Sequence, residues 1–190
     1  MTHSQDNNWT IPNLLTVFRI LITPVFVVAF VNGQIMTAWW LFFLAGVTDG
    51  LDGFLARVLK QRSKLGAMID PLADKVLLVT AFVMLGIKGW LPSWLVILVV
   101  SRDVIIVGGL GVLHFWSVHI KERIKPIWVS KANTAGQILL IFLVMFSHAR
   151  GWDVAGLQSF LIVVVAALTV VSGVYYVHKG FSLFPSGGEE

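Results

Sequence analysis

Cysteine is absent from this chain of 190 residues. Disulfide bonds, thiolate metal sites and cysteine nucleophiles are therefore excluded. Charge is also scarce, because Asp, Glu, Lys and Arg make up 13% of the residues, against roughly 25% in a soluble domain. Hydrophobic residues make up 57%, and the mean hydropathy is +0.84. This composition predicts an integral membrane protein.

The basic residues of the chain form no continuous stripe. The formal net charge is +4 and the sequence pI is about 9.6, but lysine and arginine are scattered between apolar runs. A nucleic-acid partner is therefore not expected, and anionic membrane lipids or an anionic substrate fit better. The N-terminal sequence MTHSQDNNWT also lacks the basic region of a signal peptide, so we expect the N-terminus to be retained.

The apolar runs have about the ~20 residues that a membrane-spanning helix needs. Asn13 is a candidate helix cap, and Leu14, Leu15 and Phe18 form an apolar face suited to the membrane interface. We predict an all-α, polytopic membrane protein with six transmembrane helices and a short N-terminal interfacial segment. Residues 1–180 are predicted to form a single domain, followed by a flexible tail at 181–190. The predicted spans are 14–31, 35–59, 67–87, 91–116, 128–146 and 154–177.

The distribution of lysine and arginine predicts the orientation of these spans. One side of the predicted membrane carries seven basic residues and the other carries two, Lys88 and Arg150. We therefore expect both termini and the basic loops to face the cytoplasm, in a cell membrane or inner membrane of bacterial type. The seven are Lys60, Arg62, Lys64, Lys121, Arg123, Lys125 and Lys179.

Four aspartates lie close together in the sequence, at the ends of the second and third spans. Asp49 and Asp52 are three residues apart, and Asp70 and Asp74 are four apart, so each pair shares a helix face. A short loop between the two helices would make them antiparallel neighbours, with all four carboxylates at the cytoplasmic end. Carboxylates at membrane depth are costly unless they are paired or bind a metal. Oxygen ligands of this kind suit Mg²⁺, Mn²⁺ or Ca²⁺, and two such ions suit phosphoryl transfer.

The aspartates also allow two other interpretations. A single aspartate within the membrane can serve as a hydrogen-bond partner between helices, and small residues such as Gly53 and Ala56 can simply allow close packing. A cation or proton transporter is the alternative from another functional class. A transport site is expected near the bilayer midplane between broken helices, whereas these aspartates lie next to a basic loop. Their position favours chemistry on a phosphate-bearing substrate.

The pattern D-x2-DG-x2-AR-x8-G-x3-D-x3-D between Asp49 and Asp74 resembles the signature of the CDP-alcohol phosphotransferases. The resemblance implies that an alcohol attacks the lipid-side phosphate of a CDP-linked lipid and displaces CMP. It also implies a homodimer that needs Mg²⁺ or Mn²⁺. Asp49, Asp52, Asp70 and Asp74 are then the metal ligands, with Asp74 also the base that deprotonates the acceptor. The CDP-lipid would be bound by Gly53, Ala56, Arg57, Ser63 and Gly66.

Residues outside the signature bear on the acceptor alcohol. Ser101-Arg102-Asp103 and the segment KPIWVSKANTAGQ at 125–137 are similar to stretches of eukaryotic-type cardiolipin synthases. Phosphatidylglycerophosphate synthases tend instead to have Arg-Glu in the fourth span and a second lysine at the position of Asn133. This resemblance favours phosphatidylglycerol as acceptor and CDP-diacylglycerol as donor, with Arg102 and Lys131 binding the acceptor's phosphodiester.

Three alternatives remain open at this point. The acceptor can be glycerol 3-phosphate, which the opening IPNLLTVFRI also resembles, or another alcohol such as inositol phosphate. Arg102 and Asp103 can also form an internal ion pair with no substrate contact.

Overall fold

The computed structural model of the protein describes the backbone of residues 11–58, 66–115 and 128–181, and the side-chain surroundings of 18–48, 75–108 and 128–179. Within these ranges the chain is entirely helical apart from short turns, which confirms the all-α class. The helices are α1 (Ile11–Val31), α2 (Ile35–Val58), α3 (Gly66–Ile87), α4 (Ser93–Phe115), α5 (Trp128–Arg150) and α6 (Ala155–Phe181).

Each predicted span coincides with a helix, but some helix ends differ from the prediction. The expectation that Asn13 caps the first helix is wrong, because α1 begins at Ile11 and Asn13 lies inside it. α1 is continuous from Ile11 to Val31, so no break separates the predicted interfacial face from the rest of the helix.

The C-terminal end of α5 extends beyond its apolar run. The prediction ended at residue 146, whereas the helix continues to Arg150. Ser147 Oγ donates a hydrogen bond of 2.9 Å to the carbonyl oxygen of Val144, and His148 Nδ1 lies 2.9 Å from the same oxygen. Hydropathy reports where the apolar run stops, whereas helical hydrogen bonding continues through polar residues.

A tight turn joins α1 to α2. Gly33 has a φ of +74°, the N–H of Gln34 donates to the carbonyl oxygen of Ala29 at 2.9 Å, and the N–H of Gly33 donates to Phe30 at 3.1 Å. These two bonds define a Schellman motif, in which glycine adopts the left-handed conformation at low cost. The turn reverses the chain, and α1 packs against α2 as a helical hairpin.

The chain divides into two compact units. Unit 1 comprises residues 1–88 and 142–153, and unit 2 comprises 89–141 and 154–190. In unit 1, α1 packs against both α2 and α3, and the buried side chains include Phe26, Phe30 and Phe82. In unit 2, α4 packs against α6, and Leu95 and Val99 are among the buried side chains. The single domain over residues 1–180 stays a prediction.

Two helices of the described residues are long and apolar enough to cross a membrane by length and composition, Trp128–Arg150 and Ala155–Lys179. Three shorter apolar helical stretches occur as well, at Phe18–Val31, Ile35–Thr48 and Lys75–Ile87.

Candidate active site

The aspartates of the predicted site lie on two continuous helices of unit 1. α2 is helical through Asp49 and Asp52, and α3 is helical through Asp70 and Asp74. The backbone between the two aspartates of each pair is therefore helical, as the spacing of three and four residues predicted. The side chains of residues 49–74 lie outside the described surroundings, and so does Ser63 altogether. The predicted roles of Gly53, Ala56, Arg57 and Gly66 stay predictions for the same reason.

Helix α1 packs against both of the helices that carry the aspartates, and it contributes a buried arginine. Arg19 is 1% exposed. It lies fourteen residues before Gly33, and Asp49 lies sixteen after it. At a helical rise of about 1.5 Å per residue, the two residues are about 21 and 24 Å from the turn. The hairpin therefore places a buried guanidinium at nearly the same depth as the first aspartate.

A second buried arginine, Arg102, connects three helices of unit 2. Its Nη1 atom lies 2.7 Å from Asp103 Oδ1 in an ion pair within α4. Its Nη2 atom donates to Ser130 Oγ of α5 at 2.7 Å and to Ser172 Oγ of α6 at 2.6 Å. The guanidinium carbon lies 5.9 Å from the centre of the Tyr176 ring. Arg102 is 5% exposed and Asp103 is 3% exposed, so the charges are buried and paired.

Lys131, the other residue predicted to bind the acceptor, has different surroundings. Its side chain is exposed, and its Nζ atom lies 5.4 Å from the centre of the Trp128 ring, on the same turn of α5. A cation over an indole face is attracted by the ring quadrupole. Lys131 therefore presents its charge at the surface, whereas Arg102 holds its charge inside unit 2.

A line of polar side chains continues inward from Arg102 between α5 and α6. Thr169 Oγ1 donates to Asn133 Oδ1 at 3.0 Å, and both residues are buried. Gln137, one turn further along α5, is 0% exposed, and neither atom of its amide has a hydrogen-bond partner. Asn133, which entered the acceptor prediction, is thus an internal contact residue of unit 2.

Sequence reasoning did not identify Ser172 and Thr169. Serine and threonine carry no charge and are common in membrane helices, so their presence in an apolar run gives no signal alone. Their spacing does give a signal. Thr169, Ser172 and Tyr176 are three and four residues apart, so they share one face of α6. That face meets the buried arginine of α4.

Comparison with known proteins places the chain in a family. The family described as CDP-alcohol phosphatidyltransferase matches residues 9–171. This protein belongs to that family. The match extends over both aspartate pairs and over the buried polar line of unit 2, and it confirms the resemblance seen in the signature.

Curated relatives of this chain carry two different names. A cardiolipin synthase (CMP-forming) from Rattus norvegicus is 33% identical over 94% of this chain and 64% of its own length. A CDP-diacylglycerol–glycerol-3-phosphate 3-phosphatidyltransferase from Haemophilus influenzae is 34% identical over 88% of this chain and 91% of its own length. Another of that second name, from Cereibacter sphaeroides, is 47% identical over 76% of this chain and 68% of its own. The chain spans just under two thirds of the rat cardiolipin synthase.

Proposed function

We propose that this protein is a membrane-embedded phosphatidyltransferase that transfers the phosphatidyl group of CDP-diacylglycerol to phosphatidylglycerol, producing cardiolipin and CMP. The observation that carries the proposal is the aspartate signature from Asp49 to Asp74. Its four aspartates lie on the helices α2 and α3 of a chain that belongs to the CDP-alcohol phosphatidyltransferases.

All six helices are proposed to span the bilayer. They contain 21 to 27 residues, so each is at least about 30 Å long, the thickness of the hydrocarbon core. Large apolar side chains are exposed on them, for example Leu21 in α1, Ile97 in α4 and Val163 in α6. An exposed apolar surface of this extent is stable against lipid. The charge bias of the loops puts the aspartates and both termini on the cytoplasmic side, and the family resemblance supports a homodimer.

The donor set fits divalent metal ions. Four carboxylates in two pairs offer the hard oxygen ligands that Mg²⁺ and Mn²⁺ prefer, and neither cysteine nor histidine lies between Asp49 and Asp74. Asp49, Asp52, Asp70 and Asp74 would hold two such ions. When bound, the ions neutralise charge on the diphosphate and stabilise the departing CMP.

The residues of the chain perform the remaining steps. Arg57, Ser63 and Gly66, with the small residues Gly53 and Ala56, bind and orient the cytidine diphosphate group. Asp74 accepts the proton of the acceptor hydroxyl, whose oxygen then forms a bond to the lipid-side phosphorus. The bond from that phosphorus to the bridging oxygen breaks, and CMP leaves with its electron pair.

Arg102 and Lys131 are the two basic side chains assigned to the acceptor side. Asn133 stands where a second lysine is expected for a substrate with a terminal phosphate, and it is buried against Thr169. This argues for an acceptor whose phosphate is a diester, as in phosphatidylglycerol. The names of the rat and human relatives agree with that acceptor.

Phosphatidylglycerophosphate synthesis from glycerol 3-phosphate is the second candidate. It is favoured by the relatives from Haemophilus influenzae and Cereibacter sphaeroides, of which the second is 47% identical to this chain. Cation transport by the same carboxylates is the alternative from a different class, and it predicts no CMP release.

The deciding experiment measures CMP release by the purified protein in liposomes containing CDP-diacylglycerol and Mg²⁺. Phosphatidylglycerol and glycerol 3-phosphate are supplied separately, and the lipid product is identified by mass. Cardiolipin formed only with phosphatidylglycerol supports the leading proposal. If phosphatidylglycerophosphate forms from glycerol 3-phosphate, the proposed site and mechanism stand but the acceptor is glycerol 3-phosphate. If no CMP is released with either acceptor, the protein is not an enzyme of this class.

A further inference from the structure

The hydrogen bonds of Arg102 join its two terminal nitrogens to protein side chains, and its Nε atom is buried without a hydrogen-bond partner. Both hydrogens of Nη2 are directed to serine hydroxyls, one on α5 and one on α6. Nη1 is bonded to Asp103, whose carboxylate neutralises the guanidinium at 2.7 Å. An anionic phosphodiester at Arg102 would lie beside a carboxylate of its own sign, which is costly in a buried site.

Ser130 connects this buried network to the exposed lysine. It lies on the first described turn of α5, from Trp128. A serine side chain that hydrogen-bonds across helices holds the turn that carries it against its neighbours. The described contact that ties it to the other helices of unit 2 is the bond from Arg102 to Ser130 Oγ. The same nitrogen of Arg102 is held by Ser172, so α6 fixes the arginine from the other side.

Lys131 follows Ser130 directly, so its direction depends on how the first turn is fixed. With Ser130 held on the buried side, Lys131 is about 100° further around the helix and is exposed. Its contact with Trp128 lies within the same turn and cannot orient the turn as a whole. A cation held in a fixed direction binds an anion better than a mobile one, since less freedom is lost on binding.

We infer that Arg102 is a positioning residue and that Lys131 is the acceptor-binding cation that it positions. Arg102 fixes the first turn of α5 through Ser130, with Ser172 as its second anchor, and Lys131 binds the phosphodiester of the acceptor lipid. This division of roles rests on the proposed function for the identity of the acceptor. The positioning itself is a property of unit 2.

The first test measures positioning without activity. Because the chain contains no cysteine, Lys131→Cys provides a single attachment point for a nitroxide spin label. We expect the label to be more mobile in the Ser130→Ala and Ser172→Ala backgrounds, by electron paramagnetic resonance in liposomes. Ser159→Ala, the same change at an exposed position of α6, is the matched control and should leave the spectrum unchanged. A label equally mobile in all four proteins would overturn the inference.

The second test is a double-mutant cycle on acceptor kinetics. Lys131→Gln should raise the KM for phosphatidylglycerol about tenfold and Ser172→Ala about fivefold, with the KM for CDP-diacylglycerol unchanged in both. Lys131→Arg, which keeps the charge, should retain most of the affinity. Because Ser172 acts only through Lys131, adding Ser172→Ala to Lys131→Gln should have little further effect.

If the increases in the KM for phosphatidylglycerol multiply when Lys131→Gln and Ser172→Ala are combined, Arg102 contacts the acceptor itself. The inference would then be wrong. Failure of the proposed function has a different signature. In that case the unmodified protein releases no CMP with either acceptor, while the spin-label comparison still decides whether Ser130 and Ser172 hold Lys131 in place.

Discussion

Arg102 and Asp103 are adjacent in α4, and both are almost fully buried. A buried ion pair adds little net stability, because desolvation offsets much of the attraction between the charges. Removing one partner is nevertheless costly, since the other charge is left in a low-dielectric interior. The pair therefore makes unit 2 sensitive to single changes at these two positions.

Asp103→Leu is expected to lower the free energy of unfolding by about 3–5 kcal/mol, because it leaves the Arg102 guanidinium without its carboxylate. Thermal and denaturant unfolding in detergent would measure the loss. The double variant Arg102→Met with Asp103→Leu should recover much of the stability, since it removes both charges. An Asp103→Leu variant as stable as the unmodified protein would show that Asp103 is not the counter-charge of Arg102.

Gln137 presents the opposite case, a buried amide without hydrogen-bond partners. Gln137→Met keeps the length of the side chain and removes the unsatisfied groups, so it should stabilise the protein by about 1–3 kcal/mol in the same unfolding assay. Gln158→Met is the matched control and should destabilise, because Gln158 Nε2 donates to the carbonyl oxygen of Trp90 at 2.7 Å. A loss of stability in Gln137→Met would indicate an internal partner such as a bound water.

The helices α5 and α6 approach closely at Gly136. A Cβ atom at this position would lie 3.3 Å from Cγ2 of Val165, closer than most such contacts. The absence of a side chain at Gly136 therefore sets the distance between these two helices at the level of the buried amides. Small residues at helix interfaces serve the same purpose in membrane proteins generally.

Gly136→Leu should lower the stability of the protein by about 1–3 kcal/mol, because its side chain overpacks the contact with Val165. Adding Val165→Ala should restore part of the loss by making room. Gly108→Leu in α4 is the control, since a Cβ atom there meets nothing within 4 Å. Equal losses in Gly136→Leu and Gly108→Leu would show that helix proximity is not the cause.

The sequence was sufficient to locate the six helices of the described ranges, because each coincides with an apolar run of ~20 residues. It failed at helix ends such as Asn13, where hydrogen bonding rather than hydropathy decides. The spacing of the aspartates was also predictable, since helical periodicity is a local property. The contacts of Arg102 were not: they join it to residues 28 and 70 positions away, and serine hydroxyls give no signal in sequence.

Donor and acceptor binding are assigned to different parts of the whole molecule. The signature for the CDP-lipid lies in unit 1, and the residues that bear on the acceptor lie in unit 2. Changes in one unit should therefore affect the KM for one substrate and leave the KM for the other largely intact.

Arg57→Ala tests the donor side. It removes a guanidinium assigned to the diphosphate, so affinity for CDP-diacylglycerol should fall about tenfold or more. Equilibrium binding of a labelled CDP-lipid in nanodiscs would measure the change, with the KM for phosphatidylglycerol as the internal control. Unchanged affinity for the CDP-lipid would contradict the assignment of Arg57.

We propose that the aspartate signature performs phosphatidyl transfer with Asp74 as the base. The most direct test compares Asp74→Asn with the unmodified protein for CMP release and for CDP-diacylglycerol binding in the same liposomes. We predict that CMP release is abolished while CDP-diacylglycerol binding largely survives, because the amide cannot accept the proton of the acceptor. CMP release at an undiminished rate in Asp74→Asn would contradict the account.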